Sequence, residues 1–221
     1  MKKLIVILAK SSKYGDYCIA GIELATNKWI RPISRNEETQ DAVPAEALTY
    51  SDKTEAQPLD IVQIDFEDTR AENFVQPENY FFSGAQWKKF GRWTLAEFER
   101  NCGFDNTDLI FYDTSRRIEP EALNFVTRRK SLLILPIENI SVKTNLLDEQ
   151  IKFRADFNYN GVRYKDFSVG DIALREKFIN QPCGKFFIAN KAVATFSLTN
   201  PYKDDRCYKM LANLYLIGQE S

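Results

Sequence analysis

The sequence contains no histidine. That absence removes the usual general base near neutral pH, the commonest zinc ligand and every Ser-His or Cys-His nucleophile pair. Cysteine is scarce and scattered: Cys18, Cys102, Cys183 and Cys207 lie far apart and form no C-x-x-C. Such spacing speaks against a zinc site or a thioredoxin-like motif, and reduced, buried thiols are expected. No apolar stretch approaches the ~18 residues of a membrane span. In the opening MKKLIVILAKSSK, the apolar run at 4–9 is shorter than a signal-peptide core and is closed by Lys10 and Lys13. A cytoplasmic protein without a membrane partner is expected. An excess of either charge is also missing, with 30 basic against 31 acidic residues and a formal net charge of -1. A bulk electrostatic grip on duplex DNA is thereby disfavoured, while binding through a local basic patch stays open. No motif calls for a cofactor, and none is expected.

What the chain does have is aromatic and β-favouring sequence. Aromatics reach 13%, with 16 Phe and 10 Tyr among 221 residues, a content suited to sheet cores and to stacking on bases or sugars. The stretch 18–34, CIAGIELATNKWIRPIS, reads as a hairpin, two apolar arms around a Thr26-Asn27-Lys28 turn. Period-2 geometry in the second arm puts Trp29, Arg31 and Ile33 on one face and Ile30 and Pro32 on the other. A tryptophan and an arginine on one exposed face would make a platform for a planar ligand.

The run 4–9 reads as a buried first strand. It opens into a polar, basic loop, Lys10-Ser11-Ser12-Lys13, and a Tyr14-Gly15-Asp16 turn. That loop suits phosphate oxygens; a solvated loop is the plainer reading. Residues 35–58 form a polar, acidic insertion with Pro44, Pro58 and a short helical possibility at 45–48. A strand follows at 59–66, then a turn at 76–80 leading into Tyr80-Phe81-Phe82. Thr94-Leu95-Ala96-Glu97 matches a capping box, so a short helix is expected over 94–102, stopped by Gly103. A second is expected over 120–126, opened by Pro120. Arg128-Arg129-Lys130 is the densest basic cluster and precedes a strand at 132–135, which Pro136 should interrupt before strand structure resumes at 140–143.

The second half echoes the first. Runs at 151–159 and 162–167 flank Asn160-Gly161, the strongest short hairpin signal. Ile151, Phe153, Ala155, Phe157 and Tyr159 fall on one face; Lys152, Arg154, Asp156 and Asn158 fall on the other. Residues 171–180 read as helical, with Ala173, Leu174 and Phe178 as an apolar stripe, and 185–198 and 209–217 as strands. The repeated order of strand, hairpin, further strands and short helix predicts a mainly β protein of two small barrels. The division is expected between 119 and 130, drawn as 1–125 (with an inserted loop and short helix) and 126–221. One β-sandwich is the competing architecture.

Several short motifs resemble one family. Lys13, Cys18-Ile19-Ala20-Gly21 and Trp29-Ile30-Arg31-Pro32 are similar to its leading signature, and Pro77-Glu78-Asn79 to a middle one. Phe157, Tyr164, Ser197-Leu198 and Tyr208-Lys209 with Ala212 are similar to its closing pattern. The family is the dual OB-containing domain of bacteria and their mobile elements. The resemblance implies two OB barrels packed as one unit and a nucleic-acid-related or immune-conflict role, with no catalytic site to carry over. A departure is Val169-Gly170-Asp171, where a compact Asp-Pro turn is expected.

OB barrels grip single strands with basic grooves and aromatic platforms, each stacked base contributing roughly 1–3 kcal/mol. The ring candidates are Trp29 and Tyr164. Lys10, Ser12, Lys13, Arg31, Arg129, Arg154, Lys203 and Lys209 are the candidates for phosphate contacts. Two other readings stand beside single-stranded DNA, RNA or a nucleotide as ligand. One is a regulatory module binding a partner protein, favoured by the near-neutral charge and the acidic segment 37–60. The other is a metal-dependent phosphodiester enzyme using Asp65, Glu67 and Asp68. Non-catalytic binding is the leading expectation.

Overall fold

The computed structural model describes residues 1–13 and 15–218. Two compact units divide the chain at Gly103/Phe104. The sequence reading drew the division at 125/126. Residues just after 103 associate with the second unit because Asp105 exchanges two hydrogen bonds with Ile134: its N–H donates to the Ile134 carbonyl (2.9 Å), and its Oδ2 accepts from the Ile134 N–H (2.9 Å).

The first unit runs β1 (Lys2–Lys13), β2 (Asp16–Glu23), β3 (Lys28–Ile33), α1 (Ala45–Leu48), β4 (Asp60–Arg70), β5 (Asn79–Phe82), β6 (Lys88–Arg92) and α2 (Leu95–Cys102). β1 pairs antiparallel with both β2 and β4, β2 with β3, and β4 with β5; β3 and β5 run parallel. The ring β1-β2-β3-β5-β4 therefore closes on itself, which leaves its members no free edge. β6 adds to β4 outside the ring.

β1 continues as strand through Lys10–Lys13, where the sequence suggests a loop. The continuation is paired, with Lys10, Ser11, Ser12 and Lys13 opposite Ile19, Cys18, Tyr17 and Asp16. Tyr14 of the expected turn lies outside the described residues. Gly21 is required by close approach, since a Cβ there would meet the Val6 carbonyl oxygen at 2.2 Å.

α1 and its flanks plug the barrel. Val43, Ala47, Leu48, Tyr50 and Ala56 join Ile5, Ile7, Ile19, Ile30, Val62, Ile64, Phe66 and Trp87 in one core. The residues at 45–48 are thus held in a helix by burial of one face. α2 forms as its sequence signals: the Thr94 side chain accepts from the Glu97 N–H (3.2 Å), Glu97 Oε2 accepts from the Thr94 N–H (2.7 Å), and Gly103 at φ 74 ends the helix. Thr94→Ala removes one of these two bonds and is expected to destabilise the first unit by about 1 kcal/mol in chemical denaturation.

The second unit runs β7 (Arg117–Ile118), a 3₁₀ turn (Pro120–Phe125), β8 (Leu132–Leu147), β9 (Gln150–Tyr159), β10 (Val162–Val169), α3 (Ile172–Phe178), β11 (Gly184–Leu198) and β12 (Cys207–Leu216). Its pairings repeat those of the first unit: β8 with β9 and β11, β9 with β10, β11 with β12, and β10 parallel to β12. In both barrels a helix-bearing connection joins the third strand to the fourth. The Asn160-Gly161 turn has positive φ at both positions, 48° and 73°, between the paired Tyr159 and Val162, the requirement of a type I′ hairpin.

Pro136 does not interrupt β8, where it sits opposite Val193. β9 pairs with β8 only from Glu138 onward, so one edge of β8 has no ladder to break at the proline. Phe157, Tyr164, Phe167 and Phe196 fill the interior with ring centroids 5.1–6.0 Å apart. Asp171 binds α3 to the barrel: its carboxylate accepts from the Leu174 N–H at the helix start (2.8 Å) and from the Leu214 N–H on β12 (2.7 Å). The exposed Ala173 is not part of the apolar stripe; Leu174 and Phe178 carry it.

Candidate nucleic-acid interface

In the first barrel the β1–β2–β3 sheet is buried on both faces. Ile5, Ile7, Ile19 and Ile30 point into the core, and Val6, Leu8, Ala20 and Ile22 on the opposite side are equally buried. The expected in-out alternation of β3 is therefore absent, with Ile30, Arg31, Pro32 and Ile33 all buried and Trp29 half-buried. Arg31, at 7% exposure, is no surface cation. Burial lowers its proton affinity, partly offset by Glu78 and Cys18. Lys10 is buried too, with Nζ 2.9 Å from Glu55 and over the Tyr17 ring at 4.6 Å. Lys13 donates to the Gln40 carbonyl at 2.7 Å, beside the Tyr17–Val43 bridge. Lys10 and Lys13 thus fasten the polar insertion at 34–59 to the barrel wall. Ser12 alone among these candidates is exposed.

Two candidates of the second half are also interior. Tyr164 is fully buried, stacked on Phe157 at 5.6 Å and 14°, and its hydroxyl accepts from the Ile110 N–H (3.3 Å). No ring face is left for a base. Lys209, at 1% exposure, sends Nζ to the carbonyls of Ile110 (2.6 Å) and Asp113 (2.7 Å) and to Asp113 Oδ1 (2.7 Å). Between those anchors Phe111 and Tyr112 hold left-handed conformations at φ 46° and 75°. Each such residue costs on the order of 1–3 kcal/mol and persists only where its surroundings over-determine it. Tyr164 and Lys209 provide that constraint.

The open surface is the outer face of β11, β8, β9 and β10. Register sets one row across it: Lys185 opposite Lys143, Lys143 opposite Arg154, Arg154 opposite Ser168. The Ser168 hydroxyl accepts from Arg154 Nη1. Lys152 on β9 and Arg163 and Lys165 on β10 are each at least partly exposed. Phe187, opposite Ser141 and 65% exposed, presents its ring two residues from Lys185.

Beneath the row sits Asp156, at 3% exposure. It is 2.8 Å from Lys143 Nζ, 3.8 Å from both Lys185 Nζ and Arg163 Nη2, and accepts from the Asp166 N–H at 3.0 Å. Burial alone would raise its carboxyl. The hydrogen bonds from Lys143 and the Asp166 N–H, with the nearby cations, outweigh burial and hold it below the ordinary carboxylate value. Lys143 is correspondingly raised by Asp156. Arg154 has no carboxylate within ion-pair distance among the described contacts; burial and Arg116 lower its proton affinity, against the pull of Asp166 and Tyr208. Tyr208 in turn meets the exposed Tyr202 edge-on at 6.4 Å, in the β11–β12 loop that also carries the exposed Lys203. Arg129 is exposed ahead of β8.

Of the sequence candidates, this face holds Arg154 alone. Lys143, Lys185, Arg163 and Lys165 were missed, because cross-strand register joins them and no local motif does. The acids Asp65, Glu67 and Asp68 do not converge on a metal-sized site. Glu67 is clamped by Arg35 (Nη2 2.6 Å), and Asp65 and Asp68 lie 3.8 and 3.7 Å from the N-terminal amine. Among the described residues no group of three or more His, Cys, Asp or Glu side chains is placed to hold a metal ion.

Two closed five-stranded barrels of this strand order, each with its helix between the third and fourth strands, define a tandem OB-fold protein, a binding architecture. The chain belongs to the dual OB-containing domain family, which it matches over residues 3–214. A comparison with curated proteins finds no match. No helix among the described residues is long and apolar enough to cross a membrane.

Proposed function

We propose that the second barrel binds single-stranded nucleic acid, without catalysis, across the outer face of β11, β8, β9 and β10. The observation that carries this reading is the in-register row Lys185, Lys143 and Arg154 on an open sheet face. Strands lie about 4.8 Å apart, so the row spans roughly 10 Å and can follow a phosphate backbone. Phe187 and Tyr202 supply exposed rings for stacking. The overall net charge of -1 does not oppose this, because the positive field is local to the face.

Fluorescence anisotropy with labelled single-stranded DNA and RNA tests it. With three phosphate contacts, the slope of log K against log salt is expected near about -2. In Lys185→Ala/Arg154→Ala, affinity at low salt is expected to fall more than tenfold and the slope to shrink toward about -0.7. This pair leaves the Lys143–Asp156 contact intact, so folding is preserved. Absence of binding at low salt, or an unchanged slope in the double variant, would sink the reading. The β8–β9 tip exposes Leu146 and Leu147 side by side, which supports a partner-protein reading as the second choice. In that case Leu146→Ser/Leu147→Ser abolishes pull-down of the partner, and the cation variants do not.

A further inference from the structure

The left-handed segment at 111–112 walls a cleft of about 350 Å³ in the second unit. That volume lies at the lower end of small-molecule sites, about 300–1,000 Å³. Leu109 and Leu133 make apolar walls, and the Tyr112 ring stands beside them. The ring is fixed at its far end: the Tyr112 hydroxyl accepts from the Lys130 N–H (2.8 Å) and donates to the Lys130 carbonyl (3.2 Å). Arg128 and Lys130 bring positive charge, Arg128 exposed and Lys130 2.9 Å from Asp105.

Thr107 borders the same cleft, and its backbone is locked, the carbonyl accepting from the Tyr159 hydroxyl (2.6 Å) and Asn160 Nδ2 (3.0 Å). Asp108 lines the same cleft and offers a carboxylate to a ligand N–H or O–H. A fixed ring, apolar walls, two cations and one carboxylate fit a planar group that carries both a polar edge and a phosphate.

We propose that this cleft binds a nucleoside phosphate. The base lies against Tyr112 and the two leucines, the phosphate meets Arg128 and Lys130, and the base or ribose polar groups meet Asp108. The choice of a nucleotide among planar anions rests on the nucleic-acid reading above; the cleft itself shares no residue with the strand face. Tyr164 and Lys209 act behind it, holding the backbone on either side of Phe111–Tyr112 so that the wall exists before a ligand arrives.

Titration calorimetry of the full chain with AMP, CMP, GMP and UMP, and with inorganic phosphate and the parent nucleosides, provides the test. Saturable binding of at least one nucleotide is expected, with its nucleoside weaker. Arg128→Ala changes an exposed side chain, preserves the fold, and is expected to weaken the nucleotide about tenfold. Lys185→Ala/Arg154→Ala is expected to leave it unchanged, so failure of the strand face and failure of the cleft are read separately. No heat with any nucleotide, or an Arg128→Ala affinity equal to wild type, overturns the proposal. Oligonucleotides with and without a 5′-phosphate separate the two sources of this chemistry. A phosphate preference lost in Arg128→Ala identifies a strand end, and the absence of any preference identifies a free nucleotide; either supports the cleft.

Discussion

Lys209→Met lowers the stability of the second unit by about 3 kcal/mol, read as a fall in its urea midpoint at unchanged slope. The methionine keeps most of the stem's packing and removes only the ammonium. Three acceptors then lose their donor at once: the Ile110 and Asp113 carbonyls and the Asp113 carboxylate. The carboxylate is half exposed and can turn to water, whereas the Ile110 bond is fully buried. A buried carbonyl left without a partner costs roughly 1–3 kcal/mol, and breaking a buried ionic contact about 3–5. Because the Asp113 carboxylate is half exposed, the ionic share is discounted and the expected loss falls below the sum of the two. Loss of the pin also frees the left-handed Phe111–Tyr112 backbone, so nucleotide binding in the cleft is expected to disappear although Lys209 does not line it. A stability within about 0.5 kcal/mol of wild type would mean that water replaces the ammonium and that the loop holds itself.

Asp156→Asn is expected to move stability and strand affinity in opposite directions. The carboxylate is buried and faces Lys143, Lys185 and Arg163. Its loss leaves partly exposed cations that can be hydrated, so the cost is expected at about 2 kcal/mol, below that of a fully buried pair. The pH dependence has a definite sign. Because the folded carboxyl lies below its ordinary value of 3.8, its contribution is fully present above that value and is lost as pH falls through the lower folded one. Asp156→Asn should therefore be less stable at neutral pH and show a shallower loss on acidification. Removing this negative charge from beneath the row should also tighten binding to single-stranded nucleic acid, most clearly at low salt. Weaker binding in a folded Asp156→Asn would show that the carboxylate positions Lys143 for the ligand, and the row would then owe its geometry to the pair.

The parts of the fold that were legible in the sequence are those with a local cause. The Thr94–Glu97 capping box, the Asn160-Gly161 turn and the alternation of 151–159 each act within a few residues, and each formed where the pattern put it. The basic stretch at 10–13 misled because polar residues at a strand end look like a loop until the partner strand, β2, is known. Pro136 misled for the same reason, since a proline is tolerated in a strand that has one unpaired edge at that position, and only the distant pairing shows that β8 has one there.

The candidate site was less legible. Trp29, Arg31, Tyr164 and Lys209 drew notice as aromatic and charged residues on strands, and burial decides what such residues do. Arg31, Tyr164 and Lys209 went inside, where an arginine neighbours a buried glutamate, a phenol caps a loop and an ammonium pins two carbonyls. Lys143, Arg154 and Lys185 lie far apart in the chain and form a row only because β8 pairs with β9 on one edge and β11 on the other.

The sequence by itself determined the class of the protein: mainly β, two barrels in tandem, no histidine chemistry, and hairpins and caps at defined places. These follow from short-range sterics, side-chain periodicity and composition. Only the tertiary structure decided which of the two barrels keeps an open strand face, which cations remain on the surface, and that a cleft exists behind Tyr112. Those outcomes depend on register between distant strands and on what the inserted segments cover, and neither is carried by any local stretch of the chain.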